Sequence, residues 1–258
     1  MMRDSTTMLR RNLRRTIRYP AAAASTVLLP VIFLLLFVYV FGDTMGAGLA
    51  GGGRAEYLDY ITPAIFLLAV AGASQGAAIS VALDMQEGIV NRFRTMSISR
   101  ASVLTGHVAG SLLSTMAAIV LVAGIALALG FNPAASATDW VLAFGLLALS
   151  AFAVIWLSVA LGMVTKSVET ASNLPMPLVL LPFLGSAFVP TESMPAGLRQ
   201  FAEWQPFTPA IETVRGLLVG GAIGRQGFAV VAWGAAIALA GYLWSRRLYN
   251  RDRTNAAT

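Results

Sequence analysis

Residues 84–106 read DMQEGIVNRFRTMSISRASVLTG, a charged, arginine-bearing stretch set between two runs too apolar to sit in water. Asp84 and Glu87 come early in it, and Arg92, Arg94 and Arg100 come later, the order that suits a helix dipole. Ile89, Phe93 and Met96 follow at helical steps and offer an apolar face to a partner or a membrane. The flanks decide the fold class. Of 258 residues, 57% are hydrophobic and only 12% charged, and mean hydropathy is +0.73. That composition lies far from a soluble domain and predicts an all-α integral membrane protein, because a helix satisfies its own backbone in hydrocarbon.

Working outward, apolar runs at 60–83 and 106–129 flank the central stretch. Further runs lie at 21–41, 140–164, 171–189 and 228–245, giving six expected transmembrane helices. Pro30 should bend the first, and Pro175, Pro177 and Pro182 should kink or locally unwind the fifth. Gly72 and Gly76 make a small-residue step on the second, suited to close helix packing. Before the first span, residues 1–20 place Leu9, Leu13 and Ile17 on one stripe among six arginines, the pattern of an amphipathic interfacial helix. A solvated basic tail or an export signal fits the same residues.

Residues 190–227 are too charged to span, yet Leu198, Phe201, Trp204, Phe207, Ile211, Val214 and Leu218 recur at three- and four-residue steps. Pro206 and Pro209 divide them into two amphipathic pieces, read either as re-entrant helices before the last span or as a lid lying on the surface. Gly216, Gly220 and Gly224 then fall one helical turn apart.

Six spans put both termini on one side. That side holds fourteen of the eighteen Lys and Arg residues, so the positive-inside rule makes residues 1–20, 84–105 and 246–258 cytoplasmic and 190–227 extracellular. The same bias accounts for the basic pI without any nucleic acid.

Catalytic chemistry finds little to work with. Cysteine is absent and His107 is the sole histidine, read as an interfacial residue opening the third span; no metal site is expected. Lys166 is the one lysine and lacks the glycine-rich context of a phosphate loop, so this chain should not hydrolyse ATP.

QEGIVNRFRTMSISRASVLTGHVAGSLL (86–113) resembles the signature of the ABC-2 type transporter permeases, in particular the daunorubicin-resistance branch. The matching positions are Glu87, Gly88, Arg94, Met96, Ser97, Ser99, Arg100 and Gly106, with Ser97 where the family often has proline. MPAGLRQFAEWQPFTPAIETVRGLLVG (194–220) is similar to a second family signature before the last span, at Met194, Pro195, Leu198, Ala202, Pro206, Glu212, Arg215, Gly216 and Gly220.

The resemblance implies one ABC-2 type transmembrane domain over residues 1–258, in the plasma membrane of a bacterium. It implies the permease subunit of an ATP-binding cassette exporter, paired with a second permease copy, a homodimer, and powered by a separate ATPase subunit that holds ATP and magnesium. Glu87, Gly88, Arg92, Arg94, Ser99 and Arg100 would form the ATPase contact. Phe207, Glu212 and Arg215 would belong to the outer gate, although Glu212 and Arg215 also fit a surface ion pair of little value. Gln75, Asn173 and Phe183 are assigned to the substrate pathway. Apolar walls with sparse polar groups suit a hydrophobic or amphiphilic cargo: a drug, a polyketide or a lipid. Rival readings are a non-transporting scaffold, a polysaccharide exporter and an ion-coupled carrier; the last would want ionisable groups at mid-membrane, and none lies deep in the six spans as drawn.

Overall fold

The computed structural model describes residues 20–49, 52–86, 100–165 and 167–251, with side chains over 27–49, 52–86, 105–165 and 167–248. The expected interfacial helix at 1–20 lies outside the described residues, apart from Pro20. So do Glu87, Gly88, Arg92, Arg94 and Ser99, the side chain of Arg100, and most of the tail.

Among the described residues every regular element is helical. Helix α1 (Pro20–Leu36) runs through Pro30 into a π-helical turn (Phe37–Phe41) and the short α2 (Gly42–Gly46). Helices α3 (Arg54–Gln86), α4 (Arg100–Ala128) and α5 (Ala137–Val164) follow, then α6 (Val168–Asn173), α7 (Met176–Leu180) and a tight 3-10 turn (Leu181–Leu184). The chain closes with α8 (Ala196–Trp204), α9 (Phe207–Val219) and α10 (Gly224–Arg251). The start of α5 is fixed locally: the Ser136 hydroxyl accepts from the Asp139 N–H while the Asp139 carboxylate accepts from the Ser136 N–H at 2.8 Å, a reciprocal cap.

Among the described residues five stretches are helical, long and apolar enough to cross a membrane: Val27–Gly46, α3, Thr105–Ala128 of α4, α5 and Gly224–Leu248 of α10. This is a multi-pass membrane protein. The expected fifth span at 171–189 is not one helix. Pro175, Pro177 and Pro182 remove backbone donors in quick succession, and the segment breaks into α6, α7 and the 3-10 turn.

The broken segment nevertheless covers much of the depth of the bundle, because it lies antiparallel along α3. Gln75 meets Ser172, Tyr60 meets Ser186 and Tyr57 meets Phe188, rungs separated by roughly 27 Å of helix α3. Aromatic rings continue the packing outward, with Phe33 edge-on to Phe183 at 5.6 Å and Phe37 stacked on Phe188 at 4.3 Å. The chain thus alternates direction from α1 to α10, and both ends of the described chain fall at the end of the bundle that carries Asp84.

Helix α3 is the centre. Most of its residues from Tyr57 to Asp84 are buried, and it packs on α5, α4, α9, α1 and α6. Toward its Asp84 end one strip stays uncovered: a β-carbon added at Gly72 or Gly76, the pair expected to let a neighbour approach, would meet no side chain or neighbouring helix of the described residues within 4 Å. Close approach occurs elsewhere: a β-carbon at Gly162 would stand 2.6 Å from the Ala78 carbonyl oxygen, and one at Gly241 would stand 2.6 Å from the Leu157 nitrogen. These two glycines set the α3–α5 and α5–α10 separations.

The 190–227 region also departs from its expected division. Pro206 separates α8 from α9, but Pro209 sits in the first turn of α9, where its missing N–H leaves no bond unmade. Helix α9 is largely buried, whereas Trp204 of α8 is 77% exposed. Gly220, at φ +103°, stops α9 in a conformation that other residues rarely adopt, so Gly220 and Gly224 belong to a turn and not to a helical stripe.

Gly241→Leu should lower stability by about 1–3 kcal/mol through overpacking against the α5 backbone. Gly145→Leu, whose site is open and exposed, should leave the midpoint of tryptophan-fluorescence melting in detergent unchanged.

Candidate functional site

Broken backbone inside a membrane protein leaves carbonyls that need donors, and at the Tyr60 end the donors come from two places. Arg215 of α9 is only 12% exposed and uses its whole fork. Its Nε–H donates to the Tyr60 carbonyl at 3.0 Å, one terminal nitrogen donates to Glu212 at 2.6 Å, and the other donates to the Ser186 carbonyl at 2.9 Å. The guanidinium also lies 3.8 Å from the centre of the Tyr60 ring. Tyr60 adds its own hydroxyl to the Ser186 carbonyl at 3.1 Å. One carbonyl thus receives donors from both α3 and α9.

Gln205 and Thr208 complete the knot around Pro206. The Gln205 amide donates to the Thr208 hydroxyl at 2.9 Å and accepts from the Phe207 N–H at 3.0 Å, while the Ser186 N–H reaches the same Thr208 oxygen at 3.3 Å. Of the three expected gate residues, Glu212 and Arg215 form a half-buried pair built into this knot, well beyond a loose surface contact. Phe207 lies two helical turns deeper and is itself buried. With Leu67, Ala210, Val230, Trp233 and Ile237 it lines a small apolar cleft between α3, α9 and α10.

The expected pathway residues are spread along α3 and its broken partner. The Gln75 amide donates to the Ser172 carbonyl at 2.9 Å, holding the end of α6. Asn173, the next residue along, is exposed. Phe183 stands in the aromatic stack against α1, away from the other two.

At the opposite end, α3 continues one turn past its expected limit and carries Asp84 inside. His107 of α4 places Nε2 3.0 Å from the Asp84 carboxylate, with the two side chains 7% and 2% exposed, and its Nδ1 lies 3.4 Å from the Ser80 hydroxyl. His107, near the start of the third long helix as expected, is buried there and ties α4 to α3. The Ser–His–Asp order invites a hydrolase reading. Ser80 sits inside an unbroken helix whose N–H groups are engaged by preceding carbonyls, so its surroundings offer no backbone donors to a tetrahedral oxyanion. Among the described residues no cluster of His, Asp and Glu has the makings of a metal site.

Sequence reading passed over Tyr57, Tyr60, Ser186, Gln205 and Thr208. Gln and Thr straddling Pro206 in an apolar stretch were the available signal. Tyrosines three residues apart near a span end were another.

The family model described as ABC-2 type transporter matches residues 4–219. The chain belongs to that family. This permease is 30% identical over 204 residues, 78% of its own length and 70% of the relative's, to the daunorubicin resistance ABC transporter permease protein DrrB1 of Streptomyces coeruleorubidus. It is also 22% identical over 233 residues, 90% of its length and 83% of the relative's, to the probable doxorubicin resistance ABC transporter permease protein DrrC of Mycobacterium tuberculosis. The daunorubicin-resistance resemblance drawn from the two signatures holds over most of the permease.

Arg215→Lys removes the fork, and a single ammonium cannot reproduce its contacts to Tyr60, Glu212 and Ser186 together. The expected destabilisation is about 1–3 kcal/mol, against about 1 kcal/mol for Tyr60→Phe, which keeps the ring. Melting of the purified permease in detergent measures both.

Proposed function

We propose that the chain is the membrane half of an ATP-binding cassette exporter that moves a hydrophobic or amphiphilic cargo outward. The observation that carries this reading is the course of α3. It runs unbroken from the Arg215 knot to Gln86, where the segment with the family's ATPase-contact signature begins.

In this reading the broken segment makes a sixth crossing, and both termini lie in the cytoplasm of a bacterial plasma membrane. Two copies pair, and each docks on a separate ATPase subunit that binds ATP and magnesium. Glu87, Gly88, Arg92, Arg94, Ser99 and Arg100 form the docking segment. Closure of the ATPase subunits pushes that segment and displaces α3 and α4. Helices α8 and α9 re-enter the outer leaflet, and the Glu212–Arg215–Ser186–Tyr60 knot with Phe207 acts as the outer gate. Opening it means exchanging the donors on the Ser186 carbonyl, which gives the gate two discrete states. Gln75, Asn173 and Phe183 mark the side of the pathway beside α3. Support for an apolar cargo comes from the drug-resistance names of the relatives and from the scarcity of charge along the spans.

Purification of the tagged permease from its native membrane in mild detergent should bring down an ATPase subunit in stoichiometric amount. Arg94→Glu should reduce the recovered ATPase by about tenfold or more, equal to some 1.4 kcal/mol of docking energy. Cells expressing the pair should retain less daunorubicin, read by its fluorescence. A permease that purifies alone, with drug retention unaffected by its expression, would sink the exporter reading in favour of a scaffold.

A further inference from the structure

Asp84 and His107 are an ionisable pair, almost wholly buried, within two spanning helices, and neither is part of the Tyr60-end knot or one of the six residues assigned to the ATPase contact. Ionisable groups in such a place are retained for function. Breaking a buried pair of this kind is costly, so the pair favours one arrangement of its two helices.

The geometry says what it holds. Ser80 and Asp84 lie one turn apart on α3, and the single imidazole of His107 reaches both, Nε2 toward Asp84 and Nδ1 toward Ser80. With Nε2–H donated to the carboxylate, a neutral ring has Nδ1 free to accept the Ser80 hydroxyl. A ring that spans two consecutive turns fixes axial register as well as distance. A slip of α4 by one turn would move His107 off Asp84 toward Gly76, which has no polar side chain. Beside the pair in sequence the buried residues are small or short, Val81 on α3 and Gly106, Val108 and Gly110 on α4, which resist sliding weakly.

We propose that Ser80, Asp84 and His107 form a register pin between α3 and α4, so that a push on residues 87–99 moves the two helices as one body and reaches the Arg215 knot. These are positioning residues, and their part in transport rests on the exporter reading above.

The chain has no cysteine, so labels can be introduced singly. Spin labels at Glu56→Cys and Ala196→Cys, both exposed at the Tyr60 end, report the distance between α3 and α8. The permease with its ATPase subunit is reconstituted in vesicles and compared without nucleotide and with ATP plus vanadate. In the otherwise unaltered chain the distance distribution should shift. His107→Gln replaces the rigid ring with a freely rotating amide on a longer side chain, which holds Asp84 and Ser80 together less firmly. It should keep ATPase binding and hydrolysis while the shifted population, relative to the unshifted one, falls by about tenfold. A full shift in His107→Gln overturns the pin. Exchanging the pair, Asp84→His with His107→Asp, should recover the shift, and an exchanged pair that assembles and hydrolyses ATP without the shift also overturns it. No shift in the unaltered chain brings down the exporter reading itself, which separates that failure from failure of the pin.

Discussion

A peptide carbonyl in hydrocarbon must find a donor, and the architecture of this permease follows from where the donors come. Helices α4, α5 and α10 satisfy their own backbones along their interiors, and α3 does so except around Pro63. The segment from Val168 to Val189 does not, since three prolines in eight residues interrupt its ladder. Helix α3 makes good the loss with Gln75, Tyr60 and Tyr57, and α9 contributes Arg215. Irregular backbone survives at this depth because protein surrounds it. Four buried hydroxyls follow the same rule in miniature: Thr62, Thr115, Ser158 and Thr213 donate to carbonyls one turn back at 2.7–2.8 Å.

Helix α3 therefore links two polar devices, the Arg215 knot near its first residues and the Asp84–His107 tie near its last, separated by about 36 Å between Tyr60 and Asp84. Between them most of its surroundings are apolar, with Gly162 against Ala78 leaving no slack toward α5 and only the strip at Gly72 and Gly76 uncovered. A rod held at both ends by directional bonds and confined along its length by van der Waals contact transmits displacement well. Such bonds break and re-form as whole units, so the bundle has discrete arrangements in place of graded ones.

Much of this was legible in the residues, and the parts that were not share a cause. Apolar length located the helices to within about one or two turns, and Pro175, Pro177 and Pro182 announced the break. Glu212 and Arg215 at a three-residue spacing announced their pair. Asp84 was misplaced because a charge in a hydropathy scan reads as the end of a span; His107, its partner, lies 23 positions away and belongs to the next helix. The Tyr60–Ser186 bond joins residues 126 apart, a separation at which no periodicity carries information. Pro206 and Pro209 looked alike as helix breakers, yet only the first breaks a helix, since a proline's effect depends on whether its N–H would have been used.

The same long separations set a schedule for making the protein. Tyr60 emerges from the ribosome 126 residues before the carbonyl it will hold, and at roughly 5–20 residues per second that is an interval of about ten seconds. Throughout it α3 must enter the membrane with Tyr57, Tyr60 and Gln75 still without their final acceptors. Only the late arrival of the broken segment and of Arg215 releases it from that exposure. The helix most central to the finished permease is the one whose nascent form most needs shelter beside an insertion machinery.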